Sequence, residues 1–326
     1  MINSLLAIKW DVSPYIFSIG GFQLRWYGVL FVSGFIFGYW LFSKYYKREG
    51  LPSKLLDPML YMLLICALVG ARLGHVFFYE WDYYKEHLGE ILKVWHGGLA
   101  SHGGAFAILI GIWWYAHKYG KKYNIDYVWI CDRLALAIPF AGMAIRLGNL
   151  MNSEIYGYET SVPWGFIFVR DGQSVPHHPT QLYEALSYLL IGLILNWIYR
   201  RHKDSKKAPY RGFLFGLFLV LLFGARFLIE FCKLPQDGSD AVAAAGGRLL
   251  NNGQLLSIPF VVAGLLFIIF STGSRNLCSE KSCLMPPGRL VVRVVNSIDN
   301  KLSFSVWIDN LRTTSCGYRD FLYKRR

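Results

Sequence analysis

Two arginines of this 326-residue chain stand inside long apolar segments, where a charged side chain is costly and therefore a candidate for function. Arg146 is followed at intervals of three residues by Asn149 and Asn152. Arg226 is followed four residues later by Glu230. In a helix, the first spacing puts three polar side chains on one arc, and the second puts Arg226 and Glu230 on one face, where they can pair. Because guanidinium groups match phosphate oxygens in a bidentate manner, the pattern indicates a site for a phosphate-bearing ligand.

A histidine and its neighbouring glycines form a second group. His102 is followed by Gly103 and Gly104, and the pair Gly97-Gly98 lies shortly before it. Without side chains, these positions let a neighbouring helix, or a lipid headgroup, approach the backbone closely. Glycines in membrane helices most often pack helices, and His102 alone suits a helix contact as well as it suits chemistry. A histidine beside phosphate-binding arginines suggests transfer at a lipid headgroup, but these residues do not identify the acceptor.

The sequence lacks the signatures of several other catalytic sites. The chain contains no GxSxG nucleophile elbow, no HExxH zinc motif and no DxDxDG calcium loop. Its six cysteines include no CxxC pair, so we interpret them as unpaired thiols, with a metal site or disulfide in the C-terminal tail as the alternative. We therefore expect neither a metal nor a cofactor at the site.

The composition is that of a membrane protein. Hydrophobic residues make up 54% of the chain and charged residues 17%, against about 25% charged residues in soluble domains. The net charge of +13 comes from short basic clusters between long apolar runs, which is the pattern of cytoplasmic loops rather than of a nucleic-acid surface. We expect the partners to be a lipid bilayer and its lipids, and no nucleic acid.

Seven stretches come close to the length and apolar character that a bilayer span requires, about 20 residues. They lie near 24–45, 57–79, 97–118, 127–150, 180–199, 212–231 and 254–271. The predicted fold is therefore an all-α polytopic membrane protein with about seven transmembrane helices. The long fourth connection, about 151–179, is rich in aromatic residues and carries the pair His177-His178. We expect it to form a small ordered extracytoplasmic cap.

The distribution of Lys and Arg predicts the orientation of these helices. The first, third and fifth connections are basic, whereas the second, fourth and sixth carry few basic residues. The positive-inside rule therefore puts the N-terminus outside and the C-terminus in the cytoplasm. With this orientation, the polar residues of five helices meet toward the outer leaflet, and the second helix adds Arg72 and His75. The main members of this set are Tyr27, His102, Arg146, Asn149, Glu154, His178, Gln181, Glu184, Arg226 and Glu230.

At these residues the chain resembles the bacterial prolipoprotein diacylglyceryl transferases. The likeness covers roughly residues 10–271 and follows the family's order of motifs. These motifs are RWYG at 25–28, HGG at 102–104, RLGNLMNSEIYG at 146–157, HPTQLYE at 178–184, RFLIEF at 226–231 and GQLLSIP at 253–259. Each motif is short, but six in order across seven predicted spans are highly specific.

The resemblance implies a plasma-membrane enzyme of lipoprotein biosynthesis. Its donor would be phosphatidylglycerol and its acceptor the lipobox cysteine of a prolipoprotein, which gives a thioether and glycerol phosphate in the first step of lipoprotein maturation. By motif, Arg146 and Arg226 would be the essential arginines, and His102 is our hypothesis for the base that takes the thiol proton. The substrate-binding residues would be Tyr27, Gly103, Gly104, Asn149, Glu154, Gly157, His178 and Glu230.

The chain departs from the family pattern in three places. Ile145 stands where a glycine is expected, and Lys233 stands where a second arginine is expected after Arg226. A lysine is a point charge and loses bidentate geometry. We predict a transferase domain over 1–271 and a cytoplasmic tail of unknown role over 272–326, in which LVVRVV and LSFSVWI alternate like strands. An incidental C-terminal extension explains the tail equally well.

Two other membrane functions remain open from the residues alone. A lipid or anion transporter would also place arginines in the membrane, but it typically has internal repeats and a site near the midplane. The sequence shows no repeat, and its polar residues favour one leaflet. A phospholipid phosphatase would hydrolyse the lipid without a thiol peptide, and no metal-ligand cluster in the sequence supports it.

Overall fold

The computed structural model divides into two compact units, Met1–Thr272 and Gly273–Arg326. The residues it describes are 7–93, 98, 100–123, 125–202, 211–234, 250–281, 291–295 and 303–307. One residue discussed above, Gly97, lies outside the described residues.

Long helices dominate the described part of the chain. They are α1 (Trp26–Arg48), α2 (Leu56–Phe78), α4 (Ser101–Tyr123), α5 (Tyr127–Met151), α6 (Thr180–His202), α7 (Phe213–Ile229) and α8 (Asn252–Lys281), with the short α3 (Trp81–Tyr84) after α2. Each predicted span coincides with one of the long helices. Six of them, all but α4, are long and apolar enough to cross a membrane. The helix α4 is more polar because His102, His117 and Lys118 lie within it.

Three short two-stranded sheets accompany the helices, and no sheet in the described residues is closed. The strand β1 (Ile8–Trp10) pairs in parallel with β4 (Phe166–Phe168), so the segment before α1 meets the long connection between α5 and α6. The strands β2 (Tyr15–Ile19) and β3 (Phe22–Arg25) form an antiparallel hairpin that leads directly into α1.

The second unit contains the two strands predicted in the tail. The strands β5 (Val291–Val295) and β6 (Ser303–Trp307) pair in antiparallel register, with Val291 opposite Trp307. The alternating pattern of LVVRVV and LSFSVWI is therefore confirmed as a strand pair.

The helix α5 is central and packs against α1, α6 and α7. Pro139 lies inside α5 and cannot donate a backbone hydrogen bond. Beside this position, the amide of buried Asn196 on α6 joins the two helices, because its Nδ2 donates to the carbonyl of Leu136 at 2.9 Å. Asp132 also lies on α5, and its carboxylate accepts from the backbone nitrogens of Gly212 at 2.8 Å and Phe215 at 2.9 Å. Asp132 thus caps the start of α7 from a neighbouring helix.

The helices α2 and α4 form a second close pair through glycines. A Cβ built on Gly103 would lie 2.3 Å from the carbonyl oxygen of Gly70 and 2.7 Å from Cα of Gly74. A Cβ on Gly104 would lie 3.1 Å from the carbonyl oxygen of Ala67. Because no side chain fits between the two backbones, these glycines are required for the helices to meet.

The ends of α1 and α5 that lie away from Tyr27 and Arg146 are joined by a set of polar side chains, which we name the Glu49 network. Both carboxylate oxygens of Glu49 lie 2.9 Å from Nη2 of Arg133. The same carboxylate accepts from the Trp129 indole at 3.0 Å and from the Tyr199 hydroxyl at 2.6 Å. The carboxylate is therefore fully hydrogen-bonded.

Candidate active site

Arg146 lies in the last turns of α5 and is paired with a buried glutamate from α6. Its Nε atom lies 2.6 Å from Oε2 of Glu184, whose side chain is 0% exposed. Its Nη1 atom donates to Oδ1 of Asn149 at 3.3 Å. The Glu184 oxygens accept no aligned hydrogen bond from the residues that the structure describes, so the contact with Arg146 is an ion pair of imperfect geometry. Buried charges with unused hydrogen-bonding capacity are uncommon, and each calls for an explanation.

The turn after α5 brings Glu154 back toward Asn149, whose Nδ2 donates to Oε1 of Glu154 at 2.8 Å. Two non-glycine residues shape this turn, Ser153 with φ 55° and Ile155 with φ 65°. Such backbone conformations cost about 1–3 kcal/mol each and persist only where the surroundings hold them. Here the first turn of α6 does so, because Nε2 of Gln181 donates to the Glu154 carbonyl at 2.7 Å. The strained turn therefore fixes Glu154 beside Asn149.

Tyr27 reaches the same region from the start of α1. A Cβ on Gly148 would lie 2.8 Å from Cδ2 of Tyr27 and 3.3 Å from its Cα, so α1 and α5 touch at this point. The charges of Glu154 and Arg146 both act on the Tyr27 hydroxyl. The structure thus brings together Tyr27, Arg146, Asn149 and Glu154, as the sequence predicts.

A lysine just beyond α7 completes the charged part of the site. Lys233 is 4% exposed, and its Nζ lies 3.6 Å from Oε1 of Glu184 and 3.7 Å from Oε2 of Glu230. Burial lowers the pKa of Lys233, and the two carboxylates oppose that shift. We name Arg146, Glu184, Arg226, Glu230 and Lys233 the arginine cluster.

Arg226 is the member of the arginine cluster with unused donors. It is half-buried, and within the described ranges it makes no hydrogen bond or ion pair. Its charge nevertheless acts on Tyr188 and on Lys233, as does the charge of Arg146. The side chains of Arg226 and Arg146 therefore both lie in the neighbourhood of Tyr188 and Lys233.

The predicted pairing of Arg226 with Glu230 is wrong for the residues that the structure describes. Glu230 still follows Arg226 by one helical turn, because it has helical dihedral angles (φ −61°, ψ −22°) and its nitrogen donates to the Arg226 carbonyl. The carboxylate of Glu230 instead faces Lys233 and the start of α8, where a Cβ on Gly253 would lie 2.5 Å from its Cδ.

Gly157 and His178 line the backbone junction beside the arginine cluster. A Cβ on Gly157 would lie 2.1 Å from the carbonyl oxygen of Cys232, so only glycine fits. Its nitrogen donates to the carbonyl of His178 at 2.8 Å. Nδ1 of His178 lies 3.1 Å from the Tyr183 hydroxyl, and burial, followed by neighbouring His177, lowers the pKa of His178. We find both residues beside the cluster, where they shape its wall.

The structure does not bring His102 into the arginine cluster. His102 is exposed in the first turn of α4, and no contact in the described part of the chain joins it to Arg146 or Arg226. Its neighbours Gly103 and Gly104 lie in the contact between α2 and α4, where they pack helices. Helix packing is one of the two roles that the sequence left open for these glycines, and headgroup binding is the other.

Arg72, which the sequence places on the same side, is used structurally. It is 3% exposed, and its guanidinium donates to the carbonyls of Ile91 at 2.9 Å and Glu90 at 2.6 Å. Further bonds to the carbonyls of Lys93 and Gly98 are 3.3 Å long. Arg72 therefore holds the segment between α3 and α4.

The sequence puts Glu184 among the converging polar residues without a catalytic or binding role, and it leaves Lys233 out of that set. Glu184 lies within HPTQLYE, and a carboxylate one turn inside an apolar helix was the available signal. Lys233 was noted only as a departure from the family pattern. Its role could not be predicted because its backbone pairs with Gly157, a contact between residues far apart in sequence.

Within the described residues, no group of three or more His, Cys, Asp or Glu side chains could hold a metal ion. What the cluster offers is positive charge in a largely buried setting, with strained loops holding hydrogen-bonding groups around it. Such an arrangement binds an oxyanion and stabilises charge that grows on it during a reaction.

The fold and the cluster together define a polytopic membrane protein that holds two arginines and a lysine beside buried carboxylates at one end of its helices. Comparison with known proteins makes this class specific. The family model of prolipoprotein diacylglyceryl transferase matches residues 14–270. The chain belongs to this family and is a membrane transferase of lipoprotein biosynthesis.

Curated relatives support the assignment over most of their length. A phosphatidylglycerol–prolipoprotein diacylglyceryl transferase of Tolumonas auensis is 44% identical over 266 residues, which cover 82% of this chain and 98% of the relative. The protein of that name from Chloroherpeton thalassium is 43% identical over 83% of this chain and 96% of its own length. The one from Porphyromonas gingivalis is 41% identical over 80% and 94%.

Proposed function

We propose that this protein transfers the diacylglyceryl group of phosphatidylglycerol to the thiol of a lipobox cysteine in a prolipoprotein. The products are a thioether-linked lipid and glycerol phosphate. The observation that carries the proposal is the arginine cluster, in which the half-buried Arg226 has unused donors beside the Arg146–Glu184 ion pair. The names of the relatives supply the donor and the protein acceptor.

The reaction assigns work to both arginines. The cysteine sulfur forms a bond to the terminal glyceryl carbon, and the bond from that carbon to the phosphate oxygen breaks. The electron pair of the broken bond goes to the phosphate, whose negative charge rises as glycerol phosphate departs. Arg226 and the free donors of Arg146 stabilise this charge more in the transition state than in the bound lipid.

Hydrogen-bonding groups around the arginines would orient the lipid. The exposed carboxylate of Glu154, held by Asn149, can accept from a headgroup hydroxyl, and Tyr27 borders the same space. Gly157, His178 and Glu230 would complete the wall of the lipid site.

The thiol, whose ordinary pKa is about 8.5, must lose its proton to react well. His102 remains our proposal for the group that takes it, because imidazole titrates near neutral pH. Its exposed position on α4 requires that the peptide reach it from the side of α2 and α4. Replacement by glutamine tests this role, since unchanged turnover in His102→Gln would exclude it as the base.

We further propose seven transmembrane helices, with α4 as the seventh, in the bacterial plasma membrane. The N-terminus lies outside and the C-terminus in the cytoplasm, which follows from the basic connections and puts the arginine cluster toward the outer leaflet. Residues 1–271 form the transferase domain, 151–179 its extracytoplasmic cap and 272–326 a cytoplasmic tail.

The test is transfer by purified protein in detergent micelles. Phosphatidylglycerol and a synthetic lipobox peptide are supplied, and the peptide mass is followed over time. We expect a gain of one diacylglyceryl group that requires the cysteine and phosphatidylglycerol, and a decrease of about 100-fold or more in Arg226→Ala. A peptide with Ser in place of Cys is the matched control. Release of water-soluble phosphate without peptide modification would indicate a phosphatase, and lipid binding without either product a transporter.

A further inference from the structure

Lys233 occupies an unusual position, since its ammonium group is buried between two carboxylates. The Nζ distances to Glu184 and Glu230 are 3.6 Å and 3.7 Å, so the amine serves both and is in tight contact with neither. The Glu184 side chain is 0% exposed and that of Glu230 is 11% exposed. Buried charges require partners, and removal of a shared cation leaves both carboxylates short of one.

The backbone of Lys233 is held from two sides. Its nitrogen donates to the carbonyl of Glu230, at the end of α7, at 3.3 Å. Residue 233 also pairs with Gly157 in an antiparallel bridge, and the nitrogen of Tyr158 donates to the Cys232 carbonyl at 2.9 Å. The end of α7 and the connection between α5 and α6 together therefore determine where the ammonium group lies.

The consequence concerns Arg226, which is four residues before Glu230. An arginine and a glutamate at this spacing commonly form an ion pair on a helix. Among the described residues this ion pair is absent, because the Glu230 carboxylate faces Lys233. Arg146 is paired with Glu184 at 2.6 Å, and the described residues give that carboxylate no aligned hydrogen bond. The two carboxylates are thus held by Lys233, and guanidinium donors remain available.

We propose that Lys233 is a positioning residue that holds Glu184 and Glu230 away from Arg226, so that Arg226 stays available for the phosphate of the lipid donor. This inference rests on the proposed function for the identity of the donor. Without the Lys233 charge, Glu230 turns to the nearest cation on its own segment, Arg226, and the lipid phosphate must compete with a carboxylate. The effect falls on lipid binding more than on the chemical step.

The experiment titrates phosphatidylglycerol in mixed micelles at saturating lipobox peptide. For Lys233→Met we expect the apparent KM for the lipid to rise about tenfold while kcat stays within about threefold. Lys233→Arg keeps the KM near that of wild type, since it retains the charge. Lys85→Met is the matched control, because it removes an exposed pair with the same three-residue spacing, Asp82–Lys85 at 2.7 Å.

The decisive variant is the double substitution Glu230→Gln with Lys233→Met. Removing the diverted carboxylate should restore most of the affinity that Lys233→Met loses, which a merely structural role for Lys233 would not produce. A double variant with a KM as high as that of Lys233→Met, or higher, overturns the proposal. A fall in kcat of Lys233→Met at an unchanged KM for the lipid also overturns the proposal. If Lys233→Met does not survive purification, Lys233→Gln, which is neutral and donates hydrogen bonds, carries the same test.

Wild-type protein in the same series separates this inference from the proposed function. If wild type transfers no lipid to the peptide, the proposed function fails. Phosphatidylglycerol binding by the same variants, measured as a lipid-dependent shift of Tm, then still tests Lys233. An equal Tm shift in wild type and Lys233→Met would overturn the positioning role whatever the reaction is.

Discussion

The two ends of α5 each hold an arginine–glutamate pair, and the two pairs are built differently. In the Glu49 network, Arg133 meets both oxygens of Glu49 at 2.9 Å, and the Trp129 indole and the Tyr199 hydroxyl donate to the same carboxylate. In the arginine cluster, Arg146 approaches Glu184 through one nitrogen at 2.6 Å, without aligned hydrogen bonds to that carboxylate in the described residues.

This difference separates structure from function. A fully satisfied pair gains little from a new ligand, because binding would first break hydrogen bonds. An incompletely satisfied arginine has donors left for an anion. Both pairs involve a charged residue within an apolar helix, so charge in the membrane alone does not identify a site. The two pairs are distinguished instead by whether the carboxylate accepts aligned hydrogen bonds.

The largest expected effect is the loss of transfer in Arg146→Ala. Removing a group that stabilises charge in the transition state typically costs about 100- to 1000-fold in kcat. The peptide-mass assay measures it, and thermal unfolding in detergent checks that the variant is folded. A variant that retains more than about a tenth of the activity would place Arg146 with the structural arginines.

Next in size is the destabilisation expected for Arg133→Met. This change leaves the Glu49 carboxylate largely buried without its cation, and breaking a buried pair costs on the order of 3 kcal/mol. We expect a lower Tm in detergent but near-normal transfer per folded molecule. If transfer falls as steeply as in Arg146→Ala while Tm stays unchanged, the contrast between the two ends of α5 fails.

Part of the arginine cluster could be predicted from sequence, whereas the Glu49 network was not, and the reasons are physical. Periodicity and apolar length place the helices, and the motif RLGNLMNSEIYG identifies Arg146, Asn149 and Glu154 as neighbours because they lie close along the chain. The sequence could not show that Lys233 joins Glu184, since that contact depends on how the connection after α5 folds over α7.

Two other expectations illustrate the same limit. The four-residue spacing of Arg226 and Glu230 is kept at the end of α7, but the Glu230 carboxylate faces Lys233, a contact that the spacing alone does not reveal. The convergence of His102 with the arginines assumed that residues at the same depth are in contact. The close glycine contact of α4 with α2 leaves His102 exposed. The position of a residue along its helix can be predicted from the sequence, whereas its neighbours on other helices depend on how the helices pack.

A smaller effect is expected at Asp132, a buried carboxylate that is satisfied mainly by backbone. Its two oxygens accept from the nitrogens of Gly212 and Phe215. Asp132→Asn replaces one acceptor by a donor, so one of these bonds is lost at a cost of about 1 kcal/mol. We expect a modestly lower Tm and unchanged apparent KM for phosphatidylglycerol. A large rise in that KM would mean that Asp132 acts on the site through α7.

The smallest effect concerns pH and His178. Burial lowers the pKa of His178, so the folded protein binds a proton there less well than the unfolded chain, whose histidine pKa is about 6.5. This contribution to stability is present above about pH 6.5 and is lost as pH falls through the lowered pKa. We expect His178→Gln to flatten the dependence of Tm on pH between about 7.5 and 5. Parallel curves for the two proteins would argue against it.

The most direct test of the central claim is the affinity for phosphatidylglycerol of wild type, Arg226→Ala and Arg133→Met, titrated in nanodiscs of neutral lipid below the Tm of each protein. We expect Arg226→Ala to bind the lipid at least about tenfold more weakly than wild type, and folded Arg133→Met to bind it as wild type does. Equal weakening in both variants, or none in Arg226→Ala, would contradict the assignment of the arginine cluster as the phosphate site.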